Sequence, residues 1–412
     1  MSWRDLVENR WAIYALLFPF FVPYSLKFVP GLSQIYDLVN VFKLLAILLI
    51  LFFYITRRRL SKVMLLIFSF QGLLVLSSFL NGLREFGDYS DLLPPLGLAM
   101  LVEMGMGTEK SKVLSSLFHI LASLTVVNFF LTLLYPTGLS FASLYTQIRN
   151  PLYFLGQDNG LVYQLLTLLG LNYLLVEKQA GAGTVRLISG KYAKSFHPRL
   201  WIFDLIAFVT MLIVGSATGL MVLLLFWILT RFRFVRGSRL VVWPWLTFYV
   251  GFMGLVVLAG SSIPWLSWVT ELLGRDAGFT GRDLLWEQAL SLITEKPVLG
   301  WGNQSELIAI WNSYFSAHNQ ILDIALRAGL LGLGVFGFLH VLAFRSCQRA
   351  STKMATLIFS TLYCFLIGGL MEAGVRPNHF IFLVLAAFPY LEDRGQHFHF
   401  NLGDIYRRHR HD

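Results

Sequence analysis

Apolar runs of membrane-spanning size recur along the whole chain, separated mostly by short polar stretches. They fall at 11–30, 34–55, 62–82, 91–106, 113–135, 159–176, 200–215, 217–231, 240–260, 318–344, 354–372 and 378–391. A span needs about 20 mostly apolar residues, so the pattern predicts an all-α polytopic membrane protein with about twelve transmembrane helices in a single integral domain, 1–412. Pro94 and Pro95 interrupt the fourth run, and only "GSATG" separates the seventh from the eighth, so helix ends are least defined there. The first run follows Arg4, Asp5, Glu8 and Arg10 without a small-residue cleavage pattern, which predicts a retained helix rather than a signal peptide.

Two polar stretches on the outer side stand apart. Residues 261–317 form one large extracytoplasmic loop, long enough to fold over the helices and to carry part of an active site. A shorter one, 136–158, holds Tyr145, Gln147, Arg149, Asn150 and Tyr153. On the inner side, 181–195 contains Gly181, Gly183 and Gly190 and reads as a flexible connector.

Composition agrees with the membrane class. Of the 412 residues 56% are hydrophobic and 14% charged, with mean hydropathy +0.64, more apolar surface than a soluble core can absorb. Charge supplies the orientation. Of the 33 Lys and Arg, only Lys27, Arg84, Arg149, Arg275, Arg282, Lys296 and Arg376 fall outside, and Lys43 and Arg327 within helices, when the N-terminus is placed inside. That bias puts both termini in the cytoplasm. The net charge of +10 and the tail "RRHRHD" then point to anionic lipid headgroups and argue against nucleic acid. Cys347 and Cys364 suit neither a disulfide framework nor a metal cluster.

In the large loop, "FTGRDLLWEQALSLITEKPVLGWGNQ" has helix signals. Thr280 is a candidate N-cap with Asp283 three residues on, Leu284, Leu285, Ala289, Leu292 and Ile293 make an apolar face, and Pro297 marks the stop. Arg282 in the first turn faces the positive helix end, an unfavourable placement unless both bind one anion, for which a diphosphate is apt. Pairing with Asp283 or Glu287, or snorkelling to headgroups, accounts for it equally simply. The next helix is predicted to begin near His318. Asn319, Asp323 and Arg327 then form a single stripe entering the membrane, where ionised groups belong against protein or a wet cavity. Asp323 and Arg327 pair at i, i+4 spacing as structural support. His318, kept neutral by the helix end, is either a proton acceptor or an interfacial hydrogen-bonding residue. Trp265, Trp268, Trp286, Trp301, Trp311 and Tyr314 suit sugar stacking as well as a membrane interface, with Trp286 and Trp301 the better sugar contacts.

"TGRDLLWEQALSLITEKPVLGWG", followed by "HNQILDIALRAGLLGL", resembles the O-antigen ligases and Wzy-type O-antigen or capsular polysaccharide polymerases. In that family a G-R-x-x-x-W segment, a P-x-x-G-x-G turn and an H-N-x-x-L helix start occur in this order. The resemblance implies a GT-C-like, inverting glycosyltransferase of the bacterial inner membrane that uses neither metal nor nucleotide sugar. Its donor would be an oligosaccharide on undecaprenyl diphosphate, and its partners membrane lipid and a chain-length regulator protein. His318 would take the base or acceptor-orienting role and Arg282 the diphosphate, with Arg376 in "EAGVRPNHF", Arg149 or Arg275 as a second cation and Asn319 as a substrate contact. One departure matters: many members carry an Arg where this chain has Ala217, in "VGSATGLMVLL". The missing cation favours polymerase over ligase. A transporter or flippase of lipid-linked glycan is the alternative of another class, disfavoured because no second loop mirrors the large one.

Overall fold

The computed structural model describes residues 3–29, 31–56, 60–139, 151–181, 197–231, 241–259, 282–304, 307–310, 313–389 and 399–400. Every one of the twelve apolar runs contains a helix. The first half holds α1 (Trp3–Glu8), α2 (Arg10–Leu17), α3 (Ser33–Thr56), α4 (Lys62–Leu80), α5 (Gly87–Ser90), α6 (Leu93–Met106) and α7 (Lys110–Leu134). After it come α8 (Leu161–Gly181), α9 (Pro198–Val214), α10 (Ala217–Arg231), α11 (Val242–Ala259), α12 (Arg282–Glu295), α13 (Gln320–Ala350), α14 (Lys353–Gly369) and α15 (Pro377–Leu385). The described strands are two- and three-residue pieces.

Four helices, α3, α4, α7 and α13, are long and apolar enough to cross a membrane by length and composition, and several shorter apolar helices accompany them. The chain is a multi-pass membrane protein. Leu38, Phe42, Leu45, Leu48, Phe52 and Ile55 form an exposed apolar stripe along α3, as a lipid-facing helix requires. The opposite case is α15, all of whose residues from Asn378 to Leu385 are buried. At nine residues it is about 14 Å long, short of a bilayer core. It packs against α6, itself buried from Gly97 to Met106, so its apolar surface meets protein instead of lipid. In the first run the helix stops at Leu17 and gives way to 3-10 turns at Phe18–Phe21 and Tyr24–Phe28, where Pro19 and Pro23 withhold amide donors.

The helix expected from His318 begins instead at Gln320. Asn319 is its N-cap, its side-chain oxygen accepting from the Ile321 and Leu322 amides. This helix, α13, packs along α4 and is broken at Gly329 (φ 64°, ψ −169°), a conformation essentially reserved for glycine.

The loop turn Pro297–Gly302 fills the break. Trp301 and Gly302 donate their amides to the Leu326 and Arg327 carbonyls (2.7 and 3.0 Å), while the Leu330 and Leu331 amides donate to Pro297 and Val298 (2.8 and 3.3 Å). Backbone groups that a broken helix would leave bare inside an apolar bundle are thereby satisfied. Gly300 (φ 70°) and Gly302 (φ 79°) permit the approach, the second against the backbone of Ser78. Asn303 donates its amide to the Ser78 hydroxyl (2.8 Å), and Asn81 donates to the Gly300 carbonyl (3.0 Å), so the same turn is clamped onto α4.

The α12 helix docks on the N-terminal third of α13 through Leu285, Trp286 and Ala289, with Leu322, Leu326, Ile308 and Ala317 opposite. Leu285, Ala289, Leu292 and Ile293 pack on the expected face, whereas Leu284 is exposed and Trp286 packs there with them.

Candidate functional site

His318 stands in the left-handed region (φ 43°), uncommon for a residue with a side chain. Its chain neighbours hold it there. Trp286 donates its indole N–H to the Ala317 carbonyl (3.0 Å), and Asn319 donates its side-chain amide to the Leu370 carbonyl (3.1 Å). Trp286, expected as a sugar contact, is 2% exposed and Asn319, expected as a substrate contact, is fully buried, and the polar group of each is engaged with a backbone carbonyl.

Around His318 three helices bring charge together. Arg282, first residue of α12, lies 3.8 Å from the Glu372 carboxylate, and Arg376, N-cap of α15, lies close enough to act electrostatically on both Glu372 and His318. Burial, and then the positive charges of Arg282 and Arg376, lower the His318 pKa to about 4, only partly opposed by Asp323. The imidazole is therefore neutral at physiological pH. Burial raises the Glu372 pKa, against the opposing pull of Arg282 and Arg376 and a hydrogen bond from Asn159. Asn159 also accepts from the Ser216 hydroxyl (2.7 Å), which places the α9–α10 junction and Ala217 beside the cluster.

Four polar atoms in or beside this region are buried without a hydrogen-bond partner: His318 Nδ1, Gln320 Oε1, Glu372 Oε1 and the Tyr249 hydroxyl. Tyr163 is electrostatically coupled to Glu372, Arg376, Arg282 and Tyr249, linking the last of these to the group. Buried polar atoms of this kind are costly unless something polar reaches them. Gln320 donates to the Gly374 carbonyl (3.0 Å) and Asn378 donates to Gln164 (2.8 Å), so the loop carrying Glu372 and Arg376 is tied to α13 and α8.

Asp323 and Arg327 form the expected i, i+4 pair (3.1 Å), and Arg327 also donates to the Asn303 side chain. The pair therefore braces the break in α13. Trp301 donates its indole N–H to the Leu292 carbonyl (2.9 Å) with the Lys296 ammonium over its ring (3.7 Å), which leaves it partly exposed at the loop surface. Arg149, Arg275, Thr280 and Trp311 lie outside the described residues. Glu372, Asn159 and Gln320 are site residues that sequence reasoning misses. The available signal for the first is an acid four residues before Arg376 in a short connection between two apolar runs.

Residues 202–337 match the family model described as O-antigen ligase. The matched stretch runs from α9 into α13 and includes Arg282 and His318; Asn159, Glu372 and Arg376 lie outside it. No curated protein matches the chain.

Proposed function

We propose, from the premise that residues 202–337 belong to the O-antigen ligase family, that this protein is a metal-independent, inverting polysaccharide polymerase. It joins undecaprenyl-diphosphate-linked oligosaccharide units at the outer face of the bacterial inner membrane, with about twelve GT-C-like spans and both termini cytoplasmic. The observation that supports this is the convergence of partly buried Arg282, exposed Arg376 and neutral, partly buried His318 around the buried Glu372 carboxylate. Diphosphate leaves once its charge is compensated, so the site needs cations for the leaving group and an acceptor for one proton. Arg282 and Arg376 bind the diphosphate. The acceptor sugar's hydroxyl gives its proton to His318 as its oxygen attacks the anomeric carbon from the face opposite the diphosphate; the C–O bond to phosphate breaks, and its electron pair stays on the diphosphate.

A ligase transferring the same donor to a lipid A core or another acceptor is the second reading, favoured by the family description itself. Incubation of the lipid-reconstituted protein with a synthetic undecaprenyl-diphosphate repeat unit separates the two. A ladder of lengthening lipid-linked glycan is the polymerase result, whereas product formed only on adding a lipid A core acceptor is the ligase result. An unchanged donor under both conditions removes the glycosyltransferase assignment.

Arg282→Gln removes half of the proposed diphosphate clamp and is expected to lower kcat by about 10²–10³-fold, the usual effect of deleting one donor to a developing anion. Turnover within a factor of a few of wild type excludes Arg282 from the leaving-group site. The pH profile offers a further check. With the imidazole pKa at about 4 in the unliganded protein, kcat/KM is expected to show no His318 titration between pH 5 and 8 and to fall on acidification toward 4. An inflection near 6.5 would mean an ordinary, solvated histidine.

A further inference from the structure

We infer that Glu372 is an exchangeable internal counter-ion: it occupies the Arg282–Arg376 pair in the empty site, yields it to the donor's diphosphate, and reclaims it to expel the leaving group after transfer. This rests on the proposed function and names how that site is loaded and cleared. Glu372 is 8% exposed; Asn159 hydrogen-bonds its carboxylate, while the oxygen that approaches the Arg282 guanidinium, Oε1, stays at 3.8 Å and has no hydrogen-bond partner. A structural ion pair of this depth is normally closed by short, charge-assisted hydrogen bonds. Here the contact is a loose one that another anion can replace.

The neighbouring charges set the consequence of that replacement. Among the described residues, Arg282 from α12, Arg376 at the N-cap of α15, Asp158 and Asn159 from the turn before α8, and Tyr163 from α8 act on Glu372; His318, just before α13, faces the same two arginines and Asp323 of α13. Burial and Asp158 already raise the Glu372 pKa, and the two arginines oppose them. Once a diphosphate takes over the arginines, that opposition is spent and a further negative charge lies beside a buried carboxylate. Glu372 then binds a proton. When the lipid diphosphate departs, the proton is released and the carboxylate re-pairs.

The probe is P1,P2-dimethyl diphosphate, which carries two fixed charges and no proton that titrates near neutrality. Titration calorimetry of the detergent-solubilised full chain at pH 6, in two buffers of different protonation heat, is expected to show uptake of up to one proton per diphosphate bound. Glu372→Gln is expected to bind the probe about tenfold tighter with no proton uptake, the shift that loss of one competing charge brings. With the lipid-linked donor it lowers KM and kcat together, because product is no longer displaced; a purely structural glutamate would raise KM. Binding to wild type without proton uptake overturns the inference and needs no variant, as does a Glu372→Gln protein that binds no tighter. If wild type does not bind the probe at all, the diphosphate assignment of the site falls, and this inference with it.

Discussion

Replacing His318 by Asn is expected to lower polymer synthesis by about 10²–10⁴-fold, the usual contribution of a positioned general base. Asn suits the test better than Ala because the position has φ 43°, which Asn tolerates more readily than most residues. The fold should hardly notice the change. Ala317 and Asn319 remain tied to Trp286 and Leu370, and His318 Nδ1 makes no hydrogen bond that the substitution would break. Thermal melting in detergent should therefore coincide with wild type while the glycan ladder disappears. A His318→Asn protein that still extends the ladder at the wild-type rate removes the histidine from the chemistry and leaves its backbone conformation to be explained by packing alone.

Gly329→Ala is expected to have the largest effect on the fold. A Cβ there would stand 2.1 Å from the Val298 carbonyl oxygen and 2.5 Å from the Leu299 amide nitrogen, backbone atoms with no rotamer to escape into. Its φ and ψ also lie where a side chain is strained. Strain and overpacking together predict a loss of about 3–6 kcal/mol. Because the turn inserted at this break leads from α12 to α13, dislodging it separates Arg282 from His318, so activity should fall with the melting temperature. Gly334→Ala on the same helix is the control: nothing lies within 4 Å of the added methyl, and the substitution should be neutral or slightly stabilising. Equal melting temperatures for the two variants would show that the break does not depend on a glycine.

The contrast between α3 and α15 shows how far the linear pattern reaches. Both are apolar runs in the sequence, and period alone cannot tell a helix bathed in lipid from one enclosed by other helices, because both environments select the same residues. The same ambiguity puts Trp286 among the sugar contacts: an indole at an interface and an indole whose N–H reaches a backbone carbonyl look alike until the carbonyl of Ala317 is located. Arg282 and His318 are legible because each sits in a short motif with a local electrostatic oddity, a cation at a positive helix end and an imidazole at a helix start. Glu372 has no such local sign. Its importance comes from Arg282, 90 positions earlier in the chain, and from Asn159, farther still.

Hydrophobic periodicity and the asymmetry of Lys and Arg, both properties of short stretches, were enough to determine an all-helical membrane protein, an expected orientation, an i, i+4 ion pair at Asp323 and Arg327, and two candidate site residues. Only the tertiary structure decided that the Pro297–Gly302 turn would complete a helix broken at Gly329, that Asn319 would cap and Trp286 would bond the Ala317 carbonyl, and that Glu372 would approach Arg282 within the field of Arg376. The physical reason is distance along the chain. Capping, pairing and periodicity act within a turn or two of helix, whereas the desolvation that sets a buried charge, and the partner that compensates it, come from segments the sequence keeps far apart.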